Sequence, residues 1–188
     1  MQTTLTTLRK RLSERPGKEV VMMLAHEATT DATLLESLYA LLYDNCKPLR
    51  WRAAWVLEKV SEKRPSLLYA ERTKMTELAM RTDISDGERR LLLSICYHMS
   101  DVEEWDVRFY NFLLDTMTSL QSSAGVQALA MKLAERMSRA DDSLHEEFLC
   151  IVRNMEVEYY SPGVRAAIRN CLKTKKEKSV GSSEGRNH

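Results

Sequence analysis

The sequence predicts an all-α protein of stacked helical hairpins, and three observations carry that expectation. The 188 residues hold only six Gly and four Pro, too few for a turn-rich β fold, while Leu, Ala, Met, Glu, Arg and Lys, all good helix formers, are abundant. Leu49, Ala53, Val56 and Val60 recur at i, i+4, i+7 and i+11, one face of a helix, with Trp51 and Trp55 as a second apolar ridge beside it. A weaker form of this stretch then returns: Arg90 stands 38 positions after Arg52, Gln127 stands 37 further on, and Arg165 another 38. Such a period marks hairpins that can bury their apolar faces only against one another.

Taken in order, Leu5, Leu8 and Leu12 predict a short first helix that Pro16-Gly17 ends, and Val20, Val21, Leu24 and Ala28 a second. These two, residues 1–30, differ from the later units and read as an N-terminal cap. Asp31 is the expected N-cap of a third helix whose buried side is Leu34, Leu35, Leu38, Leu41 and Leu42. The stretch around Leu49 follows, running to about Arg64. After Pro65 one helix is expected from about Ser66 to Arg81, with Leu68, Met75, Leu78 and Ala79 inward.

Ser85-Asp86-Gly87-Glu88 has the form of a capping box, ahead of Leu91, Leu92, Ile95 and Met99. Asp101 is expected to open the next helix, with a stripe of Val102, Trp105, Phe109, Phe112, Leu113, Met117 and Leu120. Residues 122–125 break it, and Val126, Leu129, Ala130, Leu133 and Met137 define its partner. Ser143 and Glu146 form a second candidate capping box before Leu144, Phe148, Ile151, Val152 and Met155. Pro162 suits the first turn of a last helix, where its missing N–H costs nothing; Val164, Ala167, Ile168, Cys171 and Leu172 are its buried side. Apolar spacing stops after Lys173, and the polar end, 178–188 in particular, reads as a disordered tail. The repeats are thus expected at about 31–64, 66–99, 101–140 and 141–177.

The net charge of +1 makes no demand for nucleic acid or a membrane surface. Cys46, Cys96, Cys150 and Cys171 form no C-x-x-C pair and are expected as reduced, mostly buried thiols of a cytoplasmic protein. Residues 1–15 show no signal-peptide core, and no window has the length of an apolar span. Catalytic signatures are missing too. His26-Glu27 and His145-Glu146 lack the second His of a zinc motif, and there is no nucleophile elbow or Gly-rich phosphate loop. The acid pairs Glu103-Glu104, Asp141-Asp142 and Glu146-Glu147 are sequence neighbours whose side chains diverge by about 100°. His98 is expected as an ordinary buried or half-buried histidine rather than a metal ligand or catalytic group. No metal or cofactor is expected, and the anticipated role is non-enzymatic.

The second helices open on W-R-A-A-W-V-L, R-R-L-L-L-S-I, V-Q-A-L-A-M-K-L and V-R-A-A-I-R-N-C-L. This resembles HEAT repeats, whose second helix commonly begins with a Val-Arg-x-x-Ala-like run. The resemblance covers 31–176; the second copy lacks the small residues, and the third has Gln127 for Arg. It implies a right-handed α-α superhelix of about four hairpins with the second helices lining a concave side. HEAT-like proteins include scaffolds, adaptors and bacterial alkylpurine DNA glycosylases; no pocket of the last kind can be matched residue by residue.

Charge divides along the same line. The first helices sum to −12 and the second to +11, with +2 from 1–30. The resemblance then implies a basic inner face, with Arg50, Trp51, Arg52, Lys59, Arg90, Lys132, Arg136, Arg165, Arg169 and Lys173 as its candidate binding residues. A groove of one sign concentrates an oppositely charged partner, here an acidic protein or a nucleic-acid backbone. The alternative is an intramolecular ladder, each Arg answering a neighbouring Asp or Glu or the dipole of a helix end. Trp51, flanked by Arg50 and Arg52, is either a base-stacking aromatic or a wedge between repeats. Oligomeric state is open.

Overall fold

The structure, a computed structural model, describes residues 2–14, 16–99 and 106–180, with side chains for 5–14, 16–99 and 106–173. Among these residues there are ten α-helices and no strand. The chain divides into two compact units, 1–101 and 102–188.

The first unit holds α1 (Gln2–Ser13), α2 (Lys18–Ala28), α3 (Ala32–Leu41), α4 (Lys47–Lys63), α5 (Arg72–Met80) and α6 (Asp86–His98). Asp31 accepts from the Leu34 N–H at 3.0 Å and caps α3 as expected. The Ser85–Glu88 capping box is complete: Glu88 N–H donates to Ser85 Oγ, and Ser85 N–H to Glu88 Oε2. Leu49, Ala53, Val56 and Val60 are all buried. The helix they lie on packs against α2 on one side and α6 on the other, while α1 packs on α3 and α4. α2 and α4 therefore sit side by side as α4 and α6 do. Arg9 of α1 pairs with Asp44 beyond the end of α3, and Ser61 of α4 meets His98 Nδ1 at 2.8 Å, an ordinary structural role for that histidine.

The single helix expected over 66–81 is two elements. Pro65–Glu71 is a 3-10 helix and α5 begins only at Arg72. The Leu67 carbonyl accepts from the Tyr39 hydroxyl at 3.3 Å and Leu68 is inserted completely. Leu68 faces inward as expected; it is the tighter 3-10 winding of its segment that a 3.6-residue pattern does not foresee.

The second unit holds α7 (Val107–Thr118), α8 (Ala124–Ser138), α9 (Asp142–Arg153) and α10 (Pro162–Val180), with a 3-10 turn at Val157–Tyr159. α8 packs against α7, α9 and α10. Phe109, Leu113 and Met117 are buried as the stripe requires, but Leu120 lies past the end of α7 and is exposed. Asp106 caps α7; Asp101, Val102, Glu103, Glu104 and Trp105 lie outside the described residues. Asp141, not Ser143, caps α9, accepting from the Leu144 N–H at 2.9 Å. Starting there extends the ladder, because His145 N–H then reaches the Asp141 carbonyl. The backbone of α10 stays helical to Val180, beyond the apolar stripe that ends at Leu172, and 181–188 lies outside the described residues.

Two of the four thiols, Cys46 and Cys150, are exposed rather than buried; all four are free. Trp51 and Trp55, the second apolar ridge of α4, are both half-buried. Among the described residues no helix is long and apolar enough to cross a membrane.

Candidate interaction surface

In the first unit three of the candidate cations, Arg50, Arg52 and Lys59, are bonded within the fold. Arg50 donates from Nε to Glu88 Oε1 at 2.9 Å and from Nη1 to the Asp44 carbonyl at 3.1 Å. The two side chains are 12% and 5% exposed, so this pair ties the start of α4 to the start of α6 out of water. Arg52 Nη1 donates to the carbonyls of Leu12 and Ser13 at 2.6 and 3.3 Å. It satisfies the last turn of α1, where free carbonyls and the negative end of the helix dipole favour a cation. Lys59 lies between Glu58 and Glu62 at 3.0 and 2.5 Å; its partial burial opposes the charge, and bonds to Glu62 and Glu58 outweigh that and raise its pKa.

Trp51 acts as a wedge. Its ring lies 5.3 Å from that of Trp55, centroid to centroid, and its Nε1 stands 3.1 Å from where a Cβ on Gly87 would be. A Cβ at this position would sit tighter than an ordinary contact, so the indole or the first turn of α6 would have to give by a few tenths of an ångström.

A second set of bonds shifts the sequence register. Arg89, not Arg90, donates to the end of α5, from Nε to the Ala79 carbonyl at 3.0 Å and from Nη2 to the Arg81 carbonyl at 2.6 Å. Gln127 Nε2 donates likewise to the Ser119 carbonyl after α7, at 2.8 Å. Arg50, Arg89 and Gln127 are each the fourth residue of their helices, α4, α6 and α8. From that position each closes the end of the preceding helix in its hairpin. Sequence reasoning missed Arg89; the position relative to the helix start would have found it. Arg90 is exposed.

Arg165 is the fourth residue of α10. Its side chain is exposed and, alone in this row of four, makes no ion pair or hydrogen bond to a described residue. Arg169 and Lys173, one and two turns on, are exposed and equally unpaired among the described residues. They lie away from the buried face of Val164, Ala167, Ile168 and Cys171. Lys132 and Arg136 of α8 are exposed, and Lys132 is near enough to Cys171 of α10 to act on it electrostatically. Burial, with Glu135 adding to it, pushes that thiol up to about 12. Among the described residues no group of three or more His, Cys, Asp or Glu is placed to hold a metal ion.

Paired helices, second helices side by side within each unit, and a donor at one recurring helix position define a helical-repeat protein. A family model for the HEAT repeat domain matches residues 8–175, and the chain belongs to that family. The match begins inside α1, so it includes α2 and much of the segment the sequence sets apart as a cap. No curated protein and no solved structure gives a match. HEAT repeats generally mediate protein interactions, which is compatible with a scaffold role.

Proposed function

We propose that the protein is a non-enzymatic scaffold or adaptor that holds an acidic segment of a partner protein on the cationic stripe of α10. Arg165, Arg169 and Lys173 are the contact residues, with Lys132 and Arg136 of α8 at its side. One observation carries the reading: Arg165 occupies the helix position that is internally bonded in α4, α6 and α8, yet it is left to solvent. Arg50, Arg52 and Lys59 lie outside this contact, because each is already bonded within the first unit. Two exposed free thiols suit a reducing compartment, and the cytoplasm is the proposed location.

The test is fluorescence anisotropy with a labelled poly-glutamate peptide and, in parallel, labelled duplex DNA over a salt series. Charge reversal in the double variant Arg165→Glu, Arg169→Glu is expected to abolish peptide binding while leaving the helical circular-dichroism signal unchanged. Retained affinity overturns the proposal. Tighter binding to DNA, weakening steeply as salt rises, would replace the protein partner with a nucleic acid.

A further inference from the structure

The second unit carries another surface of opposite character. An open cavity of about 500 Å³ lies between the C-terminal ends of α7 and α9 and the 3-10 turn Val157–Tyr159. Its walls are mostly apolar. Ile151 and Met155 contribute from α9 and the residues after it, while Leu120 and Tyr159 leave 62% and 67% of their surface in water. Val157, beside Tyr159, is a further exposed apolar side chain. Large apolar groups gathered around one concavity mark a contact surface more than scattered ones do.

The walls are held in place from within. Tyr160 donates its hydroxyl to the Thr118 carbonyl at 2.9 Å, joining the 3-10 turn to the end of α7. Asn154 Nδ2 donates to the Cys150 carbonyl at 2.9 Å and closes the end of α9. A site already shaped loses less ordering entropy when it is filled.

Charge says what fills it. Glu156 lines the cavity, and Glu158 is exposed on the same turn. Glu147 stands one helical turn before Cys150 and Ile151, on the stripe of α9 that faces the cavity. None of these three carboxylates has a cationic partner among the described residues. The nearby Arg153 is directed to Glu146 instead, at 4.0 Å. Residues 141–160 together carry −5.

We propose that this groove docks a short amphipathic peptide of a partner protein, one that places an apolar side chain between Leu120 and Tyr159 and Lys or Arg beside Glu147 and Glu156. The site is separate from the α10 stripe and takes the opposite charge, so neither proposal depends on the other.

The probe is a fluorescein-labelled amphipathic peptide of Leu and Lys, compared with the same peptide carrying Glu at every Lys, titrated with the full-length protein. Binding of the Leu/Lys peptide alone is expected. Its affinity should fall about tenfold or more in the double variant Leu120→Asp, Tyr159→Ser and in Glu147→Lys, Glu156→Lys, as for loss of central anchors and of complementary charge. All four side chains are solvent-facing, so the melting curves of these variants should match the parent. Arg165→Glu, Arg169→Glu should leave this binding unchanged, which separates the outcome from the test of α10. Equal binding of the two peptides, or undiminished affinity in the groove variants, overturns the proposal. So does sedimentation showing a dimer of the parent that Leu120→Asp dissociates, because the occupant would then be a second copy of the chain.

Discussion

Arg50 and Arg165 occupy the same turn of their helices and have opposite fates. Arg50 is enclosed by Glu88 and the Asp44 carbonyl, so Arg50→Ala leaves a buried carboxylate short of its cation. The expected loss is on the order of 3 kcal/mol in urea unfolding. Arg165→Ala touches no internal partner and should change stability by less than about 0.5 kcal/mol. The sequence shows that arginines recur, but not which one of Arg89-Arg90 turns inward. A one-residue slip rotates a side chain by about 100°, and the bonded residues Arg50, Arg89 and Gln127 are 39 and 38 apart, against 38 and 37 for Arg52, Arg90 and Gln127. Thiol chemistry tests a second residue-scale difference. Cys96 is buried, and desolvation pushes it up to about 12, as burial does for Cys171. In native protein a disulfide reagent at pH 8 should therefore titrate two thiols, Cys46 and Cys150, and all four after denaturation. The expectation of mostly buried cysteines fails because Cys46 lies outside a helix, at the N-cap of α4, and Cys150 falls on the exposed side of α9.

At the scale of elements, the contact between α4 and α6 is limited by Trp51 against Gly87. Gly87→Val puts branched carbon where the indole already stands 3.1 Å from an ideal Cβ. Overpacking of this kind is expected to cost about 1–3 kcal/mol, and the displaced Trp51 should report it as a shift in fluorescence emission. Elements were most legible where their signal is local. The caps at Asp31 and Ser85–Glu88 need only residues three apart, and both are present. Local signals compete, however: Asp141 and Ser143 both qualify as caps, and the earlier start extends the backbone ladder, with His145 N–H bonded to the Asp141 carbonyl. The split of 66–81 was not legible at all. There the Tyr39 hydroxyl, 28 positions away, reaches the Leu67 carbonyl, a tertiary contact that periodicity does not encode.

For the whole molecule, composition and period were enough to reach an all-α repeat fold of the HEAT family. The surface was only half legible. Summed charge by helix shows where cations are concentrated, but Arg50 and Arg52 are engaged by Glu88 and by the end of α1, groups that only folding brings close. The apolar groove had no sequence signal beyond Leu120, which read as a core position until the helix stopped short of it. Segregation of sign has a colloidal consequence. The chain's formal charge is only +1, so copies repel one another weakly, yet each bears the carboxylates of α9 and the cations of α10 exposed to solvent. In dilute buffer near neutral pH such patches attract across molecules. Static light scattering should then show attractive second virial coefficients at millimolar salt that relax toward zero as physiological electrolyte is added, the reverse of hydrophobic salting-out.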